Sequence, residues 1–270
     1  MISHPNCKIN LGLRIIRKRP DGYHDLSSIF IPIPLCDELE IEPSQQFEFS
    51  QGGIPIDCPL DDNICVKAYR LLATDFPAVG AVRMHLEKRI PFGAGLGGGS
   101  SDAAFVLRML NDMFSLGLNS LQLRQYAVRL GADCAFFIDN QPALATGIGD
   151  ILTPLGSNPL KGFQLVLAKP DEGVSTREAY GGLIIDPAAA NSTPRPQLIQ
   201  APVADWRGTV VNDFERTVFP LHPAISQLKD ECYRQGALFA AMSGSGATVF
   251  GLFTPDATPA LPHTIFQGQL

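Results

Sequence analysis

Between Pro91 and Ser101 the chain reads Pro-Phe-Gly-Ala-Gly-Leu-Gly-Gly-Gly-Ser-Ser, a glycine-rich stretch running straight into a segment with helical apolar spacing. Glycines let backbone amides approach an anion and adopt positive φ, and a helix starting there adds unpaired N–H groups and the positive end of its dipole. The chemistry is phosphate binding. A flexible linker is the bland alternative, but linkers do not usually sit between a strand and a capped helix. Gly93, Gly95 and Gly98 also fit the spacing of a dinucleotide fingerprint. That motif closes the first strand of a βαβ unit and needs an acid about 20 residues on, where this sequence has only Leu116 to Ser120. A Walker loop needs Lys before Ser or Thr, and here Gly99 precedes Ser100. The loop is therefore a phosphate cradle of a third kind.

The elements that must hold such a loop are legible from periodicity. Ile9, Leu11, Leu13 and Ile15 alternate with polar or small neighbours, as do Leu39 and Ile41, then Val82, Met84 and Leu86, so the first 90 or so residues read largely as strands. One helix interrupts them, from Asn63 to Phe76, with Ile64, Ala68, Leu71 and Leu72 on one face. Past Pro91 a helix should open at Ser100 or Ser101, with Ala103, Val106, Leu107, Leu110 and Phe114 facing a core. The next helix is capped by Asn119 with Gln122 three residues on and stops at Gly131, which puts Asp133 just past a helix C-terminus. Residues 163–168 read as a buried strand and 186–203 as a long surface loop. A last helix has Pro223 in its first turn, Ile225, Leu228 and Cys232 inward and Gly236 at its end, followed by strand, Ser-Gly loop and strand.

Composition limits the partners. With 270 residues, 45% hydrophobic and 18% charged, the chain holds one large core or two modest ones. A net charge of -6 argues against a nucleic-acid binder. Five basic residues (Lys8, Arg14, Arg17, Lys18, Arg19) against two acidic ones (Asp21, Asp25) before Leu35 nevertheless make a basic corner suited to an anionic ligand, or a solvated positive loop. No apolar run approaches the roughly 18 residues of a membrane span and the start lacks a signal-peptide core, so a cytoplasmic address is expected and a membrane partner is not. Six scattered cysteines without a CxxC pair suggest ordinary buried thiols, not disulfides or zinc.

Several segments together carry a resemblance. Gly95-Leu96-Gly97-Gly98-Gly99-Ser100-Ser101-Asp102-Ala103-Ala104 after Pro91 resembles the ATP-binding motif of the GHMP kinases. Lys8-Ile9-Asn10-Leu11 followed by Arg19-Pro20-Asp21-Gly22-Tyr23-His24 resembles the N-terminal signature of the branch acting on 4-diphosphocytidyl-2-C-methyl-D-erythritol. Ser243-Gly244-Ser245-Gly246-Ala247-Thr248 resembles the C-terminal glycine loop, and Leu130-Gly131-Ala132-Asp133 and Asn212-Asp213-Phe214-Glu215 fit the same branch. Glycine loops alone reach only the superfamily, whereas the Asp21–His24 segment narrows the substrate class. Asn6 and Cys7 depart from the small residues usual before Lys8, and the tail after Phe253 is short and rich in Pro and Thr.

The resemblance implies an α+β, two-domain GHMP kinase fold with the active site in the cleft between the domains. Residues 1–155 would form the N-terminal ATP-binding domain and 156–270 the C-terminal domain. It implies a transferase that uses ATP and Mg2+ to phosphorylate a hydroxyl of 4-diphosphocytidyl-2-C-methyl-D-erythritol, giving the 2-phosphate and ADP, in non-mevalonate isoprenoid precursor synthesis. Its partner is then a small molecule carrying a cytidine diphosphate group. Matched residue by residue, Lys8 and Asp133 become the catalytic pair. A carboxylate past a helix C-terminus is disfavoured in its charged form unless a cation offsets it, and Lys8 is that cation. The ATP set is Asn63, Lys88 and the loop Pro91, Phe92, Gly93, Ala94, Gly95, Leu96, Gly97, Gly98, Gly99, Ser100 and Ser101, with Ser100 or Ser101 the candidate hydroxyl for magnesium. Asn10 and Thr176 fall to the methylerythritol, and Tyr23, His24 and Tyr180 to the cytosine.

Taken without the family, Asp133 reads as a surface turn residue, Lys8 as a strand-edge lysine, and Tyr23-His24 as a turn packed by its own side chains. Ser243–Thr248 reads equally as a hairpin connection. A kinase of mevalonate, phosphomevalonate or homoserine, a dinucleotide-dependent oxidoreductase, and a silent sensor on a kinase scaffold are the competing functions.

Overall fold

The strand periodicity is realised in the computed structural model, which describes residues 1–183, 185 and 198–270. The first stretch supplies β1 (Ile2–Ser3), β2 (Asn6–Lys18), β3 (His24–Cys36), β4 (Glu38–Pro43), β5 (Glu48–Gly53), α1 (Ile64–Asp75) and β6 (Val82–Lys88). Next come α2 (Gly98–Met113), α3 (Ser120–Leu130), α4 (Cys134–Asp139), β7 (Ala143–Thr146), β8 (Ile151–Pro154) and β9 (Gln164–Ala168). The remainder is α5 (Thr176–Gly181), α6 (Glu215–Leu221), α7 (Pro223–Arg234), β10 (Phe239–Met242), β11 (Val249–Phe253) and β12 (Thr264–Gln269). Of the surface loop expected over 186–203, residues 186–197 lie outside the described residues, and the rest forms short 3-10 turns at Leu198–Gln200 and Val203–Trp206. Among the described residues no helix is long and apolar enough to cross a membrane.

The chain divides into two compact units. One comprises Met1–Lys8, Pro32–Phe92 and Gly97–Gln141, the other Ile9–Ile31, Gly93–Leu96 and Pro142–Leu270. In the first unit the sheet order is β1-β4-β6-β5, with Leu39 opposite Leu86 and Ile41 opposite Met84. Period-two alternation buries Val82, Met84 and Leu86 on one face while Arg83 points to solvent. Helix α1 is capped by the Asn63 side chain, which accepts from Cys65 N, and it buries Cys65, Val66, Ala68 and Leu72; the expected Ile64 and Leu71 sit at the rim of that face. Helix α3 carries the expected capping box, Asn119 and Gln122 each satisfying the other's backbone N–H.

Helix α2 departs from expectation at its start. It begins at Gly98 behind Gly97, two residues before the nearer serine, and no side chain caps it. Glycines are poor helix formers, but Gly97 in the left-handed region turns the chain so that Gly98 and Gly99 become its first turn.

The second unit is built on the antiparallel sheet β10-β11-β9-β12, with Phe250 paired to Ala241 and Leu167. Pro223 opens α7 as expected, and Ile225, Leu228 and Cys232 join Val166, Val249, Phe253 and Phe214 in one core. The period of β12 was hidden by its short, bulged register against β9. A further sheet orders β2-β3-β7-β8. Four cysteines are buried, whereas Cys36 is half-buried and Cys58 exposed, so the expectation of six buried thiols is corrected at two positions.

Candidate active site

Within the first unit, Gly97 is the point where the glycine-rich stretch meets Lys8. Its φ is 69°, and a Cβ there would lie 3.1 Å from Lys8 Cε and 3.2 Å from the Phe137 ring, so a side chain would be strained by conformation and crowded in space. Lys8, on β2, is enclosed, and its Nζ lies 3.1 Å from Oδ2 of Asp133. The aspartate keeps 34% of its side chain exposed against 4% for the lysine, so the pair has one sealed end and one open end. Sequence placed Asp133 beside a helix C-terminus alone. It also stands immediately before α4, so the two helix ends act on it in opposite senses and Lys8 is the specific charge partner. Burial pushes the neighbouring Cys134 thiol up to about 12, which removes it as a competing nucleophile.

Lys88 sits differently from what a nucleotide contact requires. Its side chain is 1% exposed, and its Nζ donates to Asp102 Oδ2 at 2.8 Å and to Asp37. Asp37 also accepts from Arg89 N and Ile90 N at 2.6 and 2.7 Å. The ammonium is thus spent on two carboxylates in the core, 3.0 Å from where a Cβ on Gly98 would stand, and it meets the loop from beneath. Burial, with the nearby Asp37 charge, raises Asp102 to about 7 against the opposing pull of Lys88. Asn63, the other expected base contact, uses its side-chain oxygen to cap α1. Ser101, in the first turns of α2, has a buried hydroxyl with no hydrogen-bond partner. Backbone amides at a helix start beside such a hydroxyl fit the oxygens of a phosphate and its cation.

The second unit holds the other glycine loop and the candidate acceptor residues. Ser243 Oγ donates to Gly95 O at 2.9 Å and accepts from Asn10 N at 3.2 Å; Thr248 N donates to Ala94 O. Gly95 has φ 73°, and a Cβ on it would fall 2.0 Å from Ser243 O. The two loops are therefore locked edge to edge, and the Ser243–Thr248 segment is more than a hairpin connection. The Asn10 side chain donates to Ser28 Oγ at 3.0 Å, which in turn donates to Gly12 O. Asn212 braces the loop from behind, its amide donating to Met242 O and Gly244 O at 2.8 Å each. Asp213 next to it accepts from Arg14 Nη1 and Ile15 N, both at 2.9 Å. Asn212 and Asp213 carry the resemblance in sequence without an assigned task, and Ser28 has no sequence signal of its own.

His24 and Tyr180 are brought together as a stacked pair, centroids 4.7 Å apart, and Tyr180 meets Phe214 edge-on. Burial first, then Lys18, lowers the His24 pKa, so this ring favours its neutral form. Tyr23 is 60% exposed, an open aromatic face, and Thr176 opens α5 on the surface. The expected basic corner is largely neutralised. Arg14 pairs with Asp213, Arg17 with Asp25, and Arg19 with Asp21 and Asp25, which leaves Lys18 without an ion pair among the described residues.

Residues 63–147 match the GHMP kinases N terminal domain and residues 200–261 the GHMP kinases C terminal domain. A 4-diphosphocytidyl-2-C-methyl-D-erythritol kinase of Bacteroides thetaiotaomicron is 50% identical, with 100% of this chain and 100% of that protein covered. A crystal structure of a 4-(cytidine 5'-diphospho)-2C-methyl-D-erythritol kinase is similar with TM-score 0.74 and 33% identity, covering 93% of this chain and 90% of that one. The mevalonate kinase of Methanococcus jannaschii gives TM-score 0.72 over 95% and 92% of the chains at only 14% identity, a likeness of fold alone.

Proposed function

Because the chain belongs to the GHMP kinases, in the branch of the 4-diphosphocytidyl-2-C-methyl-D-erythritol kinases, we propose that it phosphorylates a hydroxyl of 4-diphosphocytidyl-2-C-methyl-D-erythritol with ATP, giving the 2-phosphate and ADP. The fold is the two-domain mixed α and β fold of that family, which we divide at residues 1–155 and 156–270. The place of the reaction is non-mevalonate isoprenoid precursor synthesis, and its address the cytoplasm.

One observation carries the mechanism: Lys8 Nζ lies 3.1 Å from Asp133 Oδ2, with the carboxylate still open on one side. Asp133 accepts the hydroxyl proton as the acceptor oxygen bonds to the γ-phosphorus, and the bond to the β-phosphate oxygen breaks to release ADP. Lys8 fixes the orientation of Asp133 for that task through their ion pair. Magnesium would neutralise phosphate charge, held mainly by phosphate oxygens with Ser100 or Ser101 as the protein hydroxyl. Gly93–Ser101 offer their amides to the phosphates, and Asn63 stands towards the base. Lys88 supports the loop from beneath. Asn10 and Thr176 serve the methylerythritol, while Tyr23, His24 and Tyr180 serve the cytosine by stacking and edge hydrogen bonding.

The test is ADP release from MgATP with the cytidine compound set beside mevalonate, phosphomevalonate and homoserine. Turnover confined to the cytidine compound is expected. Turnover with another acceptor overturns the substrate assignment, and turnover with none favours a silent scaffold.

A further inference from the structure

His222, at the junction of α6 and α7, holds two carboxylates with one ring. Its Nδ1 lies 2.9 Å from Glu172 Oε2 and its Nε2 3.1 Å from Glu178 Oε1. The two glutamates flank Ser175, whose Oγ accepts from Glu178 N to cap α5. Thr217 on α6 ties the same helix down by donating to Ala179 O. Helix α5 carries Thr176 and Tyr180, and Tyr180 supports His24. The ring therefore staples both sides of the first turn of α5 to the body of the second unit.

We infer that His222 is a positioning residue for the acceptor, clamping α5 as an imidazolium and loosening it when the proton leaves. Only the imidazolium has two N–H donors; a neutral ring presents a lone pair to one carboxylate. Hydrogen bonding to Glu172 raises the His222 pKa, burial opposes it, and Glu178 adds to the rise. Those two glutamates are the charges facing the ring. Glu215 and Lys229, on α6 and α7, pair with each other, Asp213 pairs with Arg14, and Arg177 and Arg216 are exposed. The clamp is distinct from the proposed proton transfer, because it involves neither Lys8 nor Asp133. Its kinetic consequence rests on the reading that Thr176 and Tyr180 meet the acceptor.

The experiment measures the KM of each substrate from about pH 6 to pH 9, for the full chain and for His222→Gln and His222→Arg. In the unmodified protein the acceptor KM should rise by about threefold to tenfold towards high pH, with the KM for ATP unmoved. His222→Gln should show the high acceptor KM at every pH. His222→Arg, charged throughout, should keep it low and flat. Equal acceptor KM in His222→Gln and the unmodified protein at the low-pH end, or an ATP KM that moves in step, overturns the clamp. Amide exchange over α5, measured without acceptor, separates this from the kinase reading. A loss of exchange protection at Ala179 and Tyr180, taken relative to the base-catalysed intrinsic rate, as the ring resonance titrates supports the clamp even if the cytidine compound is not turned over. Protection factors independent of that titration overturn it even if the kinase reaction proceeds.

Discussion

Two lysine–carboxylate sites lie in the first unit at consecutive glycines, and they differ in the one property that decides what a charge can do. At Gly97, Lys8 meets Asp133, a carboxylate that is one-third exposed. At Gly98, Lys88 meets two carboxylates, and all three side chains are at most 1% exposed. An open carboxylate is able to receive a proton from an incoming hydroxyl. A sealed one has no path to a substrate, and its charge is tolerated only because a cation lies against it. The same residue types thus give a candidate catalytic pair at one glycine and a structural keystone at the next.

The sharpest way to break the comparison is Asp133→Asn. It keeps the shape and removes the proton acceptor, so kcat should fall by about 10²- to 10⁴-fold, read by ADP release at saturating substrates. A kcat within a few-fold of the unmodified protein would remove Asp133 from the base role. The converse substitution is Lys88→Met, which strands two buried carboxylates. It should cost about 3–5 kcal/mol of folding stability, measured by urea unfolding. A variant that stays fully stable but shows a raised KM for ATP would return Lys88 to the nucleotide and erase the distinction.

Much of this was legible, but unevenly. Alternation gave β2, β4 and β6, and the capping box gave α3, because these signals are local. The pairing of Lys8 with Asp133 as a candidate catalytic pair was readable only through the resemblance, since the two are far apart in sequence and each alone has an ordinary explanation. The buried triad left a signal that went unused. Lys88 continues the Val82, Met84, Leu86 alternation, so it falls on the buried face of β6, and Asp102 is in phase with Val106 on the buried side of α2. A charge in register with a core stripe demands a buried partner, and that rule was available without coordinates. The start of α2 was misplaced because propensity counts against glycine, while Gly97 supplies the one backbone angle the turn needs. The His222 clamp left no local pattern, as its three residues come from separate elements.

A smaller effect tests whether the triad is as sealed as its exposure indicates. Asp102 has its pKa raised in the fold to about 7 from an ordinary 3.8, by burial first and by Asp37. The folded state therefore holds this proton more tightly than the unfolded one. The stability it contributes is fully present below about pH 4 and is lost as pH rises through about 7. Asp102→Asn removes that dependence while preserving an oxygen for Lys88. Between those limits the variant should gain on the unmodified protein by on the order of 2–4 kcal/mol in urea unfolding. Parallel pH profiles would mean that water reaches Asp102 and that the two sites are less different than their geometry says.

The smallest expected effect comes from the same Asp133→Asn change read as stability instead of rate. Lys8 is enclosed, so the removal of its partner's charge would be costly if the whole pair were buried. Asp133 is not buried. Its open side lets water solvate the charge, and the asparagine amide oxygen still accepts from Lys8 Nζ. The loss should therefore be about 1 kcal/mol, well below that of Lys88→Met in the same urea assay. A loss as large as that of Lys88→Met would show the pair to be a second keystone, and a fall in kcat would then have to be separated from a fall in folded protein. A small loss alongside the large kinetic defect would instead assign Asp133 to the reaction and Lys88 to the fold, with exposure as the physical cause of the division.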